Sequence, residues 1–136
     1  GIRAPSVEVT EERFPLFVVN HELRPDSAGD GQWRGGLGSV CEIIYEGSDK
    51  ATMNTAGDGV KVPPFGLFGG SQGLPHNYSL VSNSTERKLR SKETEIPVLP
   101  GDRIIALSSG GGGYGDPKKR DENSRRWDEK NGYVSS

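Results

Sequence analysis

Glycine and proline interrupt this chain more often than long regular elements tolerate. There are 20 glycines and 9 prolines in 136 residues; glycine weakens helix and strand interiors through backbone entropy, and proline through its missing N–H. Their placement is uneven. Gly29, Gly31, Gly35, Gly36 and Gly38 punctuate one segment, Gly57, Gly59, Pro63, Pro64, Gly66, Gly69, Gly70 and Gly73 fill a second, and Gly110 to Gly113 run unbroken. The second segment predicts turns and polyproline-II-like extended pieces, whose backbone groups need water or neighbouring chains as partners.

Regular structure is therefore expected between these segments. Leu16-Phe17-Val18-Val19, running on to Leu23, reads as a strand closed by the turn Arg24-Pro25-Asp26-Ser27. Residues 39–45 form a second strand, with residues 50–55 as its hairpin partner, and 77–81, 88–92 and 95–99 are weaker strands. Pro100-Gly101-Asp102 turns into the strong strand 103–107. Residues 1–15 are expected to be extended, because Pro5 and Pro15 disfavour helix before them and Val7 and Val9 alternate with polar residues. Asp116-Pro117 reads as an N-cap followed by proline at the first helical position. The ensuing helix, 117–130, is polar, with Trp127 as its one large apolar anchor. The fold class is mainly β: a small barrel-like or sandwich sheet with long Gly/Pro-rich loops and a short C-terminal helix. Residues 1–115 make a glycine-rich β domain, and 116–136 a polar tail or helix docking on a partner.

Only 31% of residues are hydrophobic, so the core must be thin. Ordering a backbone costs about 1–2 kcal/mol per residue, and so few large apolar side chains predict that a partner supplies missing core. A net charge of −2 gives no nucleic-acid footprint, and no run approaches a membrane span; the cytoplasm is the default compartment. Cys41 is the lone cysteine, which excludes an internal disulfide and a cysteine-based zinc knuckle; it reads as a buried strand thiol.

Motifs for independent catalysis are weak. Gly110, Gly112 and Gly115 after a strand match a dinucleotide-type spacing, yet no βαβ unit with its acidic residue follows. A P-loop and a nucleophile elbow are lacking, and His21 and His76 stand in no metal-binding pattern, so no cofactor is expected in this chain. Asp58, Asp102 and Asp116 each adjoin glycine and read as turn acceptors. Arg34, between Trp33 and Gly35-Gly36, suits forked recognition of a carboxylate or phosphate; a neighbouring subunit, a substrate or Asp26 are its candidate partners, with a subunit interface preferred.

Taken in order, the blocks are more informative than any one of them. Glu12-Arg13-Phe14-Pro15, Glu22-Leu23-Arg24-Pro25-Asp26-Ser27 and Trp33-Arg34-Gly35-Gly36-Leu37-Gly38 are followed by Gly57-Asp58, Pro63-Pro64-x-Gly66-Leu67-x-Gly69-Gly70 and Pro100-Gly101-Asp102. Gly110 to Pro117, Trp127-Asp128 and residues 131–135 complete the series. This resembles the C-terminal region of the hydantoinase B/oxoprolinase family, as though made as a separate small subunit, an arrangement similar to that of multi-subunit aromatic-ketone carboxylases of the acetophenone type.

The resemblance implies a structural subunit, inactive alone, of an ATP-dependent carboxylase that joins an aromatic ketone to bicarbonate to give a β-keto acid. The alternatives are a subunit of an ATP-dependent hydantoinase or 5-oxoprolinase that opens a cyclic amide, and an autonomous β module binding a small ligand or peptide. It implies further that ATP and a divalent cation are held by hydantoinase A-like partner subunits of actin/sugar-kinase fold, beside a hydantoinase B-like large subunit. Subunit-interface or chamber-lining roles then fall to Arg34, Gly35, Gly36, Gly69, Gly70, Gly112, Gly113, Tyr114, Asp116 and Trp127.

Overall fold

The computed structural model describes residues 6–135. It is mainly β, with a five-stranded antiparallel sheet, a two-stranded ribbon and two short α-helices. The large sheet has the order β1 (Leu16–Arg24), β2 (Gly38–Tyr45), β7 (Arg103–Leu107), β4 (Asn77–Ser82) and β5 (Thr85–Lys88). The ribbon pairs β3 (Ala51–Ala56) with β6 (Lys92–Val98). The sheets stack as a sandwich and close no barrel.

The register explains the core. Tyr45, Tyr78, Leu80 and Ile104 project from one face of the large sheet and meet Ala51, Met53, Ile96 and Val98 of the ribbon, with Leu89 entering from the β5–β6 turn. Only Leu80, Leu89, Ile96 and Val98 are buried among the apolar side chains described. At about 1.5–3 kcal/mol for each such side chain, this is little apolar stabilisation for a chain of this length. Large apolar residues elsewhere, Trp33, Phe65, Phe68 and Trp127 among them, stay more than half exposed.

Four local expectations are corrected. Residues 7–13 are a helix, α1 (Val7–Arg13), capped by Ser6, whose hydroxyl accepts from the Val9 N–H, with Glu8 in the first turn and Arg13 in the last. Pro15 extends only Phe14, and the alternating valines gave a false strand signal; the part of the extended expectation on residues 1–5 lies outside the described residues. Strand β3 exists as expected but pairs with β6, not β2. The strand expected at 88–92 is a turn: β5 ends at Lys88, and Glu93 accepts from the Arg90 N–H as β6 begins. Strand β5 itself was not expected, although Asn83 and Ser84, both at positive φ, make the tight two-residue hairpin that joins it to β4.

The turn before β7 follows its sequence. Gly101 has φ +86°, the Asp102 N–H bonds to the Leu99 carbonyl, and the buried Asp102 carboxylate accepts from the Leu99 N–H. Among the described residues no helix is long and apolar enough to cross a membrane.

Candidate functional site: a glycine frame and its arginine clasp

At one end of the sandwich the three glycine-rich segments, 27–38, 64–74 and 108–115, pack backbone against backbone. Gly29 N–H donates to the Gly111 carbonyl at 2.8 Å, Ser71 N–H to Asp30 at 2.7 Å, and Gly113 N–H to Ser71 at 2.9 Å. Leu67 N–H donates to Gly113 at 2.9 Å, and Trp33 and Tyr114 exchange both their backbone bonds at 2.9 Å. Backbone groups expected to need water or neighbouring chains thus find partners in other glycine segments of the same chain.

Glycine is required where these backbones approach most closely. A Cβ on Gly110 would lie 1.8 Å from the Ser27 carbonyl oxygen, and one on Gly113 would lie 1.9 Å from that of Asp30. Of the residues singled out from sequence, Gly35, Gly70, Gly112, Gly113 and Tyr114 belong to this frame, and Gly69 sits in the turn closed by the Gly70 N–H on Leu67. Gly36 accepts from the Gly111 N–H but faces open space on its Cβ side. A Cβ on Gly112 would likewise lie 1.9 Å from the Phe65 carbonyl oxygen, so this glycine too serves backbone packing.

A charged clasp ties the C-terminal segment to this frame. Asp116 caps a 3-10 turn, Pro117–Lys119, accepting from the Lys118 N–H at 3.0 Å. The expected continuous helix 117–130 does not form, because Asp121 supplies a second cap and starts α2 (Glu122–Lys130) afresh. From α2 the buried Asp128 accepts two bonds from Arg34, Nε and Nη2 each at 3.0 Å, and one from Arg120. Arg34 also donates to the Gly35 carbonyl at 2.7 Å and lies 5.6 Å from the centre of the Tyr133 ring. Beyond α2, Ser135 donates to Asp26 through its N–H and its hydroxyl, and the Asp26 N–H bonds to the Tyr133 carbonyl.

Asp128, not Trp127, therefore anchors α2; Trp127 points to solvent, 60% exposed. Arg34's carboxylate within the chain is Asp128, a partner sequence reading missed, since the two are remote in sequence and no local motif joins them. Burial alone would raise the Asp128 pKa, but the bonds and charges of Arg34 and Arg120 outweigh it and hold it below 3.8. A cleft of about 140 Å³ beside the clasp is lined by Arg34, Arg120 and Arg125 and by Asp30, Asp128 and Glu129, so its charges balance one another.

The remaining titratable candidates are dispersed. Asp102 and Asp116 act as turn acceptors, whereas Asp58 is exposed and meets Lys92 at 3.7 Å. Cys41 is half-buried in β2, where burial pushes its thiol pKa up. His21 is exposed on β1. His76 packs on Tyr78 with ring centres 4.4 Å apart; burial, then the Arg24 charge, lowers its pKa, and its buried Nε2 has no hydrogen-bond partner among the described residues. Among the described residues no three of His, Cys, Asp and Glu gather as a metal site.

Comparison with known proteins gives this geometry a context. The Hydantoinase B/oxoprolinase family model matches residues 1–117. The caprolactamase subunit beta of Pseudomonas jessenii is 33% identical over 99% of this chain, which covers 24% of that protein. The delta subunit of acetophenone carboxylase from Aromatoleum aromaticum is 28% identical over 90% of this chain and 22% of its own length. The crystal structure of the ATP-dependent caprolactamase from P. jessenii superposes with a TM-score of 0.86 at 28% identity, covering 97% of this chain and 23% of the other. The chain spans 22% to 24% of the length of the first curated relatives it matches.

Proposed function

Since the chain belongs to the hydantoinase B/oxoprolinase family, we propose that it is a structural module of an ATP-dependent enzyme complex acting on a carbonyl compound, without activity on its own. The observation that carries this reading is the imbalance between core and surface. Four apolar side chains are buried while fourteen large apolar ones stay exposed among the described residues, as expected of a piece whose core is completed elsewhere. The glycine frame and its clasp would hold that piece in one shape. Such a module assists catalysis by excluding water and fixing geometry around an activated intermediate, without donating a nucleophile.

Within this reading the substrate is a cyclic amide, opened by hydrolysis. The support is the relative named as a caprolactamase subunit, which matches nearly the whole chain at 33%. The second reading, carboxylation of an aromatic ketone with bicarbonate, has its support in the acetophenone carboxylase subunit, at 28%. In both, ATP and a divalent cation belong to companion hydantoinase A-like subunits of actin/sugar-kinase fold, beside a hydantoinase B-like large polypeptide. The intact complex distinguishes them. ATP hydrolysis stimulated by lactams or hydantoins, and indifferent to bicarbonate, is the expected result; stimulation only by a ketone with bicarbonate supports the second, and no stimulation by either refutes both.

A further inference from the structure

The glycine frame carries an aromatic ledge that no other described residue covers. Tyr114 is bridged on one side to Trp33 and on the other to Leu67, so the three side chains stand in a row on adjacent backbones. Phe68 meets the Tyr114 ring edge to face, with centroids 5.1 Å apart. All four are exposed, Trp33 at 65%, Leu67 and Tyr114 at 48% and Phe68 at 77%. Phe68 has φ +51°, a left-handed conformation that a bulky residue rarely adopts. Here the strained backbone presents an aromatic ring to solvent rather than to the core.

We infer that this ledge is the docking surface for the hydantoinase B-type polypeptide that accompanies such a region in its relatives, an inference that rests on the module reading above. The relatives' length is the reason for this occupant. The matching region is 22% to 24% of the first curated relatives and 23% of the caprolactamase chain. Each of these proteins therefore holds about three-quarters of its polypeptide beyond this region and in the same chain with it. Aromatic side chains on a frame held by close backbone contacts lose little freedom on docking, and tryptophan and tyrosine are the residue types on which interface energy concentrates.

The test uses the full chain co-expressed with the hydantoinase B-type polypeptide from the same source. A photoactivatable benzoylphenylalanine at position 68 is expected to cross-link to that polypeptide, whereas the same probe at Glu86, on the exposed polar strand β5, is not. Phe68→Asp is expected to weaken association at least about tenfold, with a far-UV spectrum unchanged because the side chain is exposed. Thr85→Asp, on the exposed polar strand β5, is expected to bind as the parent does. If the parent chain associates but the probe at 68 reaches only a second copy of this chain, or nothing, the ledge assignment is wrong and the module reading survives. Undiminished binding by Phe68→Asp has the same meaning. Failure of the parent chain itself to associate overturns both.

Discussion

Replacing Asp128 by Asn should release the C-terminal helix while leaving the sandwich folded. Asp128 is 4% exposed and accepts three bonds from Arg34 and Arg120. Asparagine keeps the shape but removes the charge, leaving two guanidinium groups without their carboxylate. Removing one partner of a buried pair costs about 3–5 kcal/mol. The two arginine side chains retain 17% and 16% of their accessible surface, so water compensates in part and the lower end, about 3 kcal/mol, applies. Hydrogen exchange reads this locally: a loss of about 3 kcal/mol accelerates exchange of the α2 amides by roughly a hundredfold or more. Amides of β2 and β7 should change far less. Unchanged protection of residues 122–130 in Asp128→Asn would refute the clasp.

The clasp also has a pH signature. With its folded pKa held below 3.8, Asp128 contributes stability that is present above that value and lost as pH falls through the lower folded pKa; α2 protection should persist at pH 5 and fail only in stronger acid. His76 acts in a different window, because its folded pKa is depressed below 6.5: stability should be full above pH 6.5 and decline as pH drops towards the folded value, a decline absent in His76→Gln urea titrations. Gly110→Ala should prevent the frame from closing and lower soluble yield sharply, since its Cβ would overlap the Ser27 carbonyl, whereas Gly36→Ala, with nothing within 4 Å, should shift the melting midpoint by no more than about 0.5 kcal/mol equivalent. Ile96→Ala, at 2% exposure the deepest apolar side chain, should cost about 2–5 kcal/mol in the same titration. Arg34→Ala should weaken assembly of the complex more than turnover in complexes already formed; normal assembly with abolished turnover would move Arg34 into the chemistry.

What could be read from the sequence was the part governed by local chemistry. Strands β1, β2 and β7 announce themselves through runs of β-branched and aromatic residues, and Pro100-Gly101-Asp102 dictates its turn. The partner of β3 was not legible: adjacency favoured β2, while burial of Met53 and Ala51 against Ile96 and Val98 selects β6. Helix α1 was hidden because valines at 7 and 9 imitate a strand and prolines flank the segment; its Ser6 cap shows itself only in the fold.

The site shows the same division. Glycines at 35, 70, 112 and 113 could be picked out as special, but only the fold shows why, since the atoms they yield to belong to segments distant in sequence. Arg34 could be recognised as a fork awaiting a carboxylate. Which carboxylate depends on where α2 lies, and α2 is so polar that Trp127 attracted the role of anchor that Asp128 performs.

The most direct test is to measure ATP hydrolysis by the purified 136-residue chain, first alone and then with the hydantoinase A-like and B-like companions proposed for it, over a panel of cyclic amides and ketones. Silence alone and substrate-dependent turnover on reconstitution is the predicted outcome. Substrate-stimulated ATP hydrolysis by the lone polypeptide would contradict it, because a chain with so little apolar surface buried among its described residues would then be sufficient by itself.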